Sequence, residues 1–391
     1  MKLLIIGSGR MGRAIAYDLV AAAGVKSVTL ADREHSFVAQ ASEWLRAVRG
    51  AHAAKLVPAV VDARDLAAVE TLARGHAVVI SASSYELNEG LARAAIRAGA
   101  SFVDLGGNNT VVERELALDA EARAAGVTIV PDCGLAPGMV SLLVADGISR
   151  LDRTDDCRIR VGGLPLEPKG PLGYSLVFSV QGLTNEYLEP VVVVRDGKVQ
   201  HIAPLTEVEE LDFPAPFGRL EAFQTSGGTS TLPQTYGKRV RNLDYKTIRY
   251  PGHCAKVRTL CDLGLMRDEI THVDGAAVSP RRLLEQCLER ELPTTDRDAV
   301  LVRVTLEGLR GGKARRLQYQ LVEQAIPDLG LTAMMRTTAF PAAVVAWMIA
   351  SGHAKGAGAM PQEVCLPAGL FIEELRRRGL GIEFQESLGA L

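Results

Sequence analysis

Lys2-Leu3-Leu4-Ile5-Ile6-Gly7-Ser8-Gly9-Arg10-Met11-Gly12 opens the chain, and its reading decides the fold. Five residues, four of them apolar, suit a strand buried on both faces of a parallel sheet. The run passes directly into the spacing GxGxxG, then into a helical stretch. A second strand, Val28-Thr29-Leu30-Ala31, ends on Asp32. In a dinucleotide site the glycines allow a tight turn, room for a pyrophosphate and close packing of helix on strand. The helix amino terminus, at Arg10 and Met11, offers unpaired N–H groups and partial positive charge. Asp32 stands about twenty positions beyond Gly12, where an acid hydrogen-bonds the ribose hydroxyls. Its charge would repel a 2′-phosphate, so NAD is the expected cofactor and NADP the less favoured one, although the adjacent Arg33 could hold that phosphate.

Composition bounds the rest. A chain of 391 residues exceeds one compact core and predicts two domains, or three. With 47% hydrophobic residues, 23% charged residues and a net charge of −2, it has the profile of an ordinary globular protein without a basic footprint for nucleic acid. The Arg376–Arg378 run reads as a solvated helix face. Glycines interrupt the first apolar run, so no secretory signal is expected, and Ala342–Ala350 after Pro341 is short for a bilayer. The six cysteines form no CxxC pair, and His253 beside Cys254 has no metal spacing. Reduced thiols, no metal and a cytoplasmic location are the expectations.

Onward from Asp32, helical and strand patterns alternate: helix 37–48, strand 56–61, helix 64–73, strand 77–81, helix 87–98, strand 101–105, helix 111–125 and strand 127–131. This is a doubly wound α/β domain of the Rossmann type, whose ligands sit beyond the carboxyl ends of the strands. Asp62-Ala63, Ser83-Ser84-Tyr85 and Gly106-Gly107 occupy such ends and join the cofactor-binding candidates, with Asp62 placed to reach an adenine amino group. Taken singly, each also suits a helix cap or a turn.

At Gly134-Leu135-Ala136-Pro137-Gly138 the pattern changes, with Pro137 and Gly138 opening a helix to about Ser149. Strands are then predicted at 158–163, 175–180 and 191–194, with an Asp196-Gly197 hairpin turn, a helix at 280–290 and a second hairpin, 298–306 with 316–324. This second domain is α+β with a mostly antiparallel sheet. Helices at 340–351 and 370–378 are expected to pack back on the first domain. The predicted division is therefore 1–135 plus about 335–391 for the Rossmann domain, and 136–334 for the second.

Several segments carry a family likeness. They are the amino-terminal glycine turn, Asp132–Gly138, Asn185-Glu186-Tyr187-Leu188-Glu189-Pro190, Glu207–Pro214, Asn242–His253 and Thr337–Ala343. Through them the sequence resembles the saccharopine dehydrogenase-like family over nearly its whole length. The Asn-Glu-Tyr and Leu-Asp-Tyr-Lys-Thr segments resemble its lysine 6-dehydrogenase branch.

The resemblance implies an NAD-dependent oxidoreductase that deaminates the ε-amine of L-lysine, with its site in a cleft between two domains. Arg249 falls where the family's saccharopine reductases place an arginine against a substrate carboxylate; Asn185, Tyr187 and His253 join it as substrate-binding candidates. Oxidation at Cε needs an unprotonated amine, and the free amine titrates near ~10.4, so the site must take a proton or work at alkaline pH. Glu186, Asp132, Lys246 and Tyr174 are the catalytic candidates. Saccharopine or a carboxylated polyamine is the alternative substrate, and a non-catalytic NAD(H)-sensing protein the alternative of another class. Self-association into a dimer or larger homo-oligomer is expected of the family.

Overall fold

The computed structural model describes residues 1–177 and 179–389. The chain forms two compact units. One comprises Met1–Ser149, Ser230–Leu232 and Met335–Ile382; the other comprises Arg150–Thr229, Pro233–Met334 and the stretch from Glu383 onward.

In the first unit the opening apolar run is β1 (Lys2–Ile6), with Leu3 to Ile6 sealed from solvent. It is followed by β2 (Ser27–Asp32), β3 (Leu56–Val60), β4 (Val78–Ser81), β5 (Ser101–Asp104) and β6 (Thr128–Val130). All pair in parallel in the order β6-β5-β4-β1-β2-β3, and the short strand Gly358–Ala359 adds itself beside β6. Strand order reverses between β1 and β4, which creates the crevice where such sheets bind ligands. Alternate residues Leu4, Ile6, Val79, Phe102 and Ile129 share one core with Leu91, Ala92 and Ala95 of the helix Asn88–Ala98. Each large side chain buried there contributes roughly 1.5–3 kcal/mol. At the sheet edge β3 is half exposed, with Val57 and Val60 in solvent.

The second unit holds a nine-stranded sheet. Its members are β7 (Arg153–Pro165), β8 (Val191–Arg195), β9 (Lys198–Ile202), β10 (Glu209–Phe213), β11 (Gly218–Gln224), β12 (Val240–Arg249) and the strands Asp298–Arg310, Lys313–Gln324 and Glu383–Leu388. Pairing is antiparallel except between β7 and β12, which run parallel. Leu164, Phe213, Leu220, Ala222, Ile248 and Leu301 make a core on one face.

Four expectations need correction. Among the described residues of 175–180 there is no strand; Leu176 makes an isolated bridge with Thr294, and a helix runs from Val180 to Leu188. Phe178 lies outside the described residues. Ser179 caps that helix by accepting from the Gly182 N–H, and Val180, Leu183, Thr184 and Tyr187 bury one helical stripe. The helix expected at 111–125 is two, Asn109–Leu116 and Asp119–Ala125, parted where Leu118 turns into the core. Pro137 and Gly138 do not open a helix; both have non-helical backbone angles, and Val140 begins it.

The last correction concerns the late apolar helix, which spans Ala333–Ala350 rather than 340–351. The buried Asp298 carboxylate accepts from the Ala333 and Met334 N–H groups at 2.6 and 2.9 Å, so a residue distant in sequence sets its start. By length and composition this helix could cross a membrane, but 78% of it is buried inside the protein.

Candidate active site

At the end of β1, Gly7 has φ +103, and a Cβ there would lie 2.6 Å from the Ala82 carbonyl oxygen. A Cβ on Gly12 would stand 1.8 Å from the Gly7 carbonyl oxygen. Only glycine allows these approaches. On Gly9, by contrast, a Cβ would meet nothing within 4 Å, so its free side faces the open space a pyrophosphate needs. The helix Arg10–Leu19 begins there and presents its first amides. Asp32 closes the cradle: its Oδ2 accepts from the Ser8 N–H at 2.8 Å and from Ser8 Oγ at 3.0 Å. These residues fit a pyridine dinucleotide.

The flanking candidates differ among themselves. Arg33 is exposed and lies 3.6 Å from Glu34. Asp62 is bound by Arg64 at 2.6 Å, which holds its carboxyl down at about 2. Ala63 beside it is half buried, and Ser83 and Ser84 are exposed after β4. Tyr85 packs so closely on Gly107 that a Cβ there would be 2.9 Å from its ring, and a Cβ on Gly106 would strike Asp132 Oδ1.

Asp132 follows β6 with φ +62, buried, its Oδ2 accepting from Ser230 Oγ and its Oδ1 without a hydrogen-bond partner. Burial first, then the Asp104 charge, push its carboxyl up to about 8. Asp104, at the end of β5, accepts from the Gly106 N–H at 2.5 Å and the Asp132 N–H at 3.3 Å. Glu115 is buried beside it and pushed upward by desolvation and by Asp104. Two carboxyls in such a place do not both ionise, and the two amides that donate to Asp104 favour its charged form and so a proton on Glu115. Asp104, Glu115 and Ser230 escaped sequence reading. Asp104 ends its strand as Asp32 does and could have been found; Glu115 and Ser230 carry no local signal.

A buried carboxyl whose folded pKa is raised favours folding at low pH, and that contribution is lost as pH rises above its ordinary value. Glu115→Gln removes one such group without changing shape. Its melting temperature, relative to wild type, is expected to rise by a few degrees between pH 5 and pH 9. A parallel shift at both pH values would contradict the protonated Glu115.

In the second unit β12 presents two chemically distinct faces, because alternate residues point oppositely. Asp244 and Lys246 lie on one. Arg160 bridges Asp244, at 2.7 Å, and Glu209, while Lys246 Nζ donates to the Glu207 carbonyl at 2.6 Å and Glu209 at 2.8 Å. Lys246 is thus tied into an ion network on the face of β12 opposite Arg249. Tyr245, Thr247 and Arg249 occupy the opposite face.

Arg249 is held from several sides. Its Nε donates to Tyr187 Oη at 3.3 Å, its Nη1 to the Ile248 carbonyl at 3.0 Å, and its guanidinium stands 4.9 Å from the Tyr174 ring centre. His253 Nδ1 lies 3.0 Å from the Leu172 carbonyl, an acceptor only, so Nδ1 carries the proton and Nε2 accepts from the Tyr187 hydroxyl at 3.0 Å. Burial and then the Arg249 charge depress His253 to about 3, keeping it neutral. Glu186, next to Tyr187 on the helix Val180–Leu188, brings Oε2 to 3.9 Å from Arg249 Nη2. Burial pushes its carboxyl up to about 7 against the pull of Arg249. Burial also raises the phenols of Tyr174 and Tyr187, so both stay protonated and Tyr174 is no base. Asn185 is turned elsewhere, its Oδ1 accepting from Arg281.

The structure therefore brings Glu186, Tyr187, Arg249, His253 and Tyr174 together in one unit; in the other it joins the glycine turn to Asp32 and, separately, Asp132 to Asp104 and Ser230. Lys246 and Asn185 belong to none of these clusters.

A family model described as the saccharopine dehydrogenase NADP binding domain matches residues 3–130, and one described as the saccharopine dehydrogenase C-terminal domain matches residues 134–380. A saccharopine dehydrogenase [NADP(+), L-glutamate-forming] of Pyricularia oryzae is 26% identical over 277 residues, 68% of this chain and 58% of its own length. The namesake of Saccharomyces cerevisiae is 24% identical over 296 residues, 73% of this chain and 63% of its own. The matches thus span less than two thirds of these relatives. The solved apo saccharopine dehydrogenase (L-Glu forming) of Saccharomyces cerevisiae superposes with a TM-score of 0.79 at 20% identity, covering 100% of both chains, which shows a shared fold.

Proposed function

The chain belongs to the saccharopine dehydrogenase family, and from that premise we propose that it is a pyridine-nucleotide oxidoreductase acting on a C–N bond of a lysine-derived substrate, specifically the ε-amine of L-lysine. The observation that carries this reading is Arg249: a guanidinium only 3% exposed, fixed on a strand, whose charged neighbour among the described residues is the carboxylate Glu186. One arginine suits one carboxylate, and an acid beside it suits an amine.

Gly7, Gly9, Gly12 and the first helical amides would hold the pyrophosphate, and Asp32 the ribose. A bound oxidised nucleotide supplies the hydride acceptor. Arg249 holds the substrate carboxylate, and the ε-ammonium must lose a proton before its lone pair can expel hydride from Cε. Water then adds to the resulting imine and ammonia departs, leaving 2-aminoadipate 6-semialdehyde. Its α-amine and aldehyde close with loss of water to Δ1-piperideine-6-carboxylate.

The free amine titrates near ~10.4, so kcat is expected to rise with pH above neutrality. A wild-type optimum at or below pH 7 would sink the assignment.

Two finer choices have rivals. Asp32 favours NAD by charge, whereas the curated relatives are named for NADP(+); kcat/KM with each nucleotide decides. Saccharopine as substrate is favoured by the same names. Reduced-nucleotide production from L-lysine and from saccharopine, measured in parallel, separates those readings, and no turnover with either, despite tight nucleotide binding, would favour a sensor.

A further inference from the structure

Glu186 and Arg249 are opposite charges 3.9 Å apart at their nearest atoms, too far for a hydrogen bond. Arg249 is anchored through Nε and Nη1 by Tyr187 and the Ile248 carbonyl, which leaves its Nη2 end toward Glu186. The Glu186 side chain is still 30% exposed, and its one charged neighbour among the described contacts is Arg249. Each member of the pair thus retains capacity that the other does not use. An α-amino acid carries a carboxylate and an ammonium on a single carbon, so its two charges are spaced much like this pair, with signs reversed. Laid across the pair, it makes two ion pairs side by side and leaves no buried charge uncompensated.

We propose that Glu186 and Arg249 form a head-group site for a free α-amino acid, with Arg249 on the α-carboxylate and Glu186 on the α-ammonium. This rests on the lysine reading above and adds to it that Glu186 serves recognition, not proton transfer at Cε. A plain diamine would leave the guanidinium without a counter-charge beyond Glu186. A head bearing a second carboxylate would press it against Glu186. At the alkaline pH the reaction favours, the carboxyl that burial holds near 7 is ionised and suited to an ammonium.

Binding, rather than turnover, tests the site. Calorimetry on the protein with its reduced nucleotide compares L-lysine with 6-aminohexanoate, which keeps the carboxylate and the terminal amine but lacks the α-amine. Wild type should bind L-lysine roughly 10- to 100-fold more tightly. Glu186→Gln should bring that ratio close to one, and Glu186→Asp should restore part of it. A circular dichroism melt confirms that each variant is folded. Equal affinities in wild type, or a ratio unchanged in Glu186→Gln, would overturn the proposal. Failure of wild type to oxidise L-lysine while the affinity ratio holds would instead sink the proposed reaction and leave the head-group site standing.

Discussion

Arg249→Ala should raise KM for L-lysine by about a hundredfold or more while the dissociation constant for NADH stays within about twofold of wild type. The size follows from the position. Arg249 is buried, so a substrate carboxylate beside it meets a charge in a medium that screens poorly, and losing one partner of such a pair costs roughly 2–5 kcal/mol. The nucleotide contacts assigned above lie in the other compact unit, so the two constants should separate. Truncation also leaves Tyr187 without the Arg249 donor, and some loss of stability is expected. Arg249→Lys keeps the charge and much of the volume but cannot reach Tyr187, Ile248 and a carboxylate together. It should fall between alanine and wild type in KM and melt near wild type. Equal losses of lysine and NADH affinity would contradict a substrate role.

Gly12→Ala should abolish measurable NADH binding and lower the melting temperature. Its Cβ would be 1.8 Å from the Gly7 carbonyl oxygen, and neither backbone can yield without opening the junction of β1 and the helix Arg10–Leu19. Gly9→Ala is the informative companion. A Cβ there meets no protein atom within 4 Å, so the variant should melt like wild type while losing NADH affinity about tenfold or more. If Gly9→Ala bound NADH normally, the space it faces is not where the pyrophosphate lies.

The glycine turn and Arg249 were unequally legible in the sequence. The turn can be read residue by residue, because its constraint is backbone geometry within eleven positions and because Asp32 follows at a spacing imposed by one βα unit. Arg249 was found through resemblance, and nothing local separates it from Lys246 three positions earlier. What separates them is the two-residue period of β12, which sends the ammonium into the Arg160–Glu209–Asp244 network and the guanidinium toward Tyr187. That period was readable once the strand was assumed; which face would carry chemistry was not.

The helix Val180–Leu188 shows a different kind of miss. Val180, Leu183, Thr184 and Tyr187 have helical spacing and Ser179 is a good cap, yet the strand expected at 175–180 overlaps its start. That error concealed how Glu186 and Tyr187 reach one site from consecutive positions.

By itself, then, the sequence determined the Rossmann sheet and the glycine turn that opens it, since strand periodicity, glycine geometry and a following acid are short-range constraints that no distant contact needs to complete. Only the tertiary structure decided which ionisable groups act together. Asp104, Glu115, Asp132 and Ser230 come from four separate stretches, and Glu186, Arg249 and His253 from a helix, a strand end and the helix that follows it. Their properties, a neutral histidine, a proton retained on Glu115 and a carboxyl near 8 at Asp132, arise from burial and from neighbours brought close by folding, and neither exists along the chain.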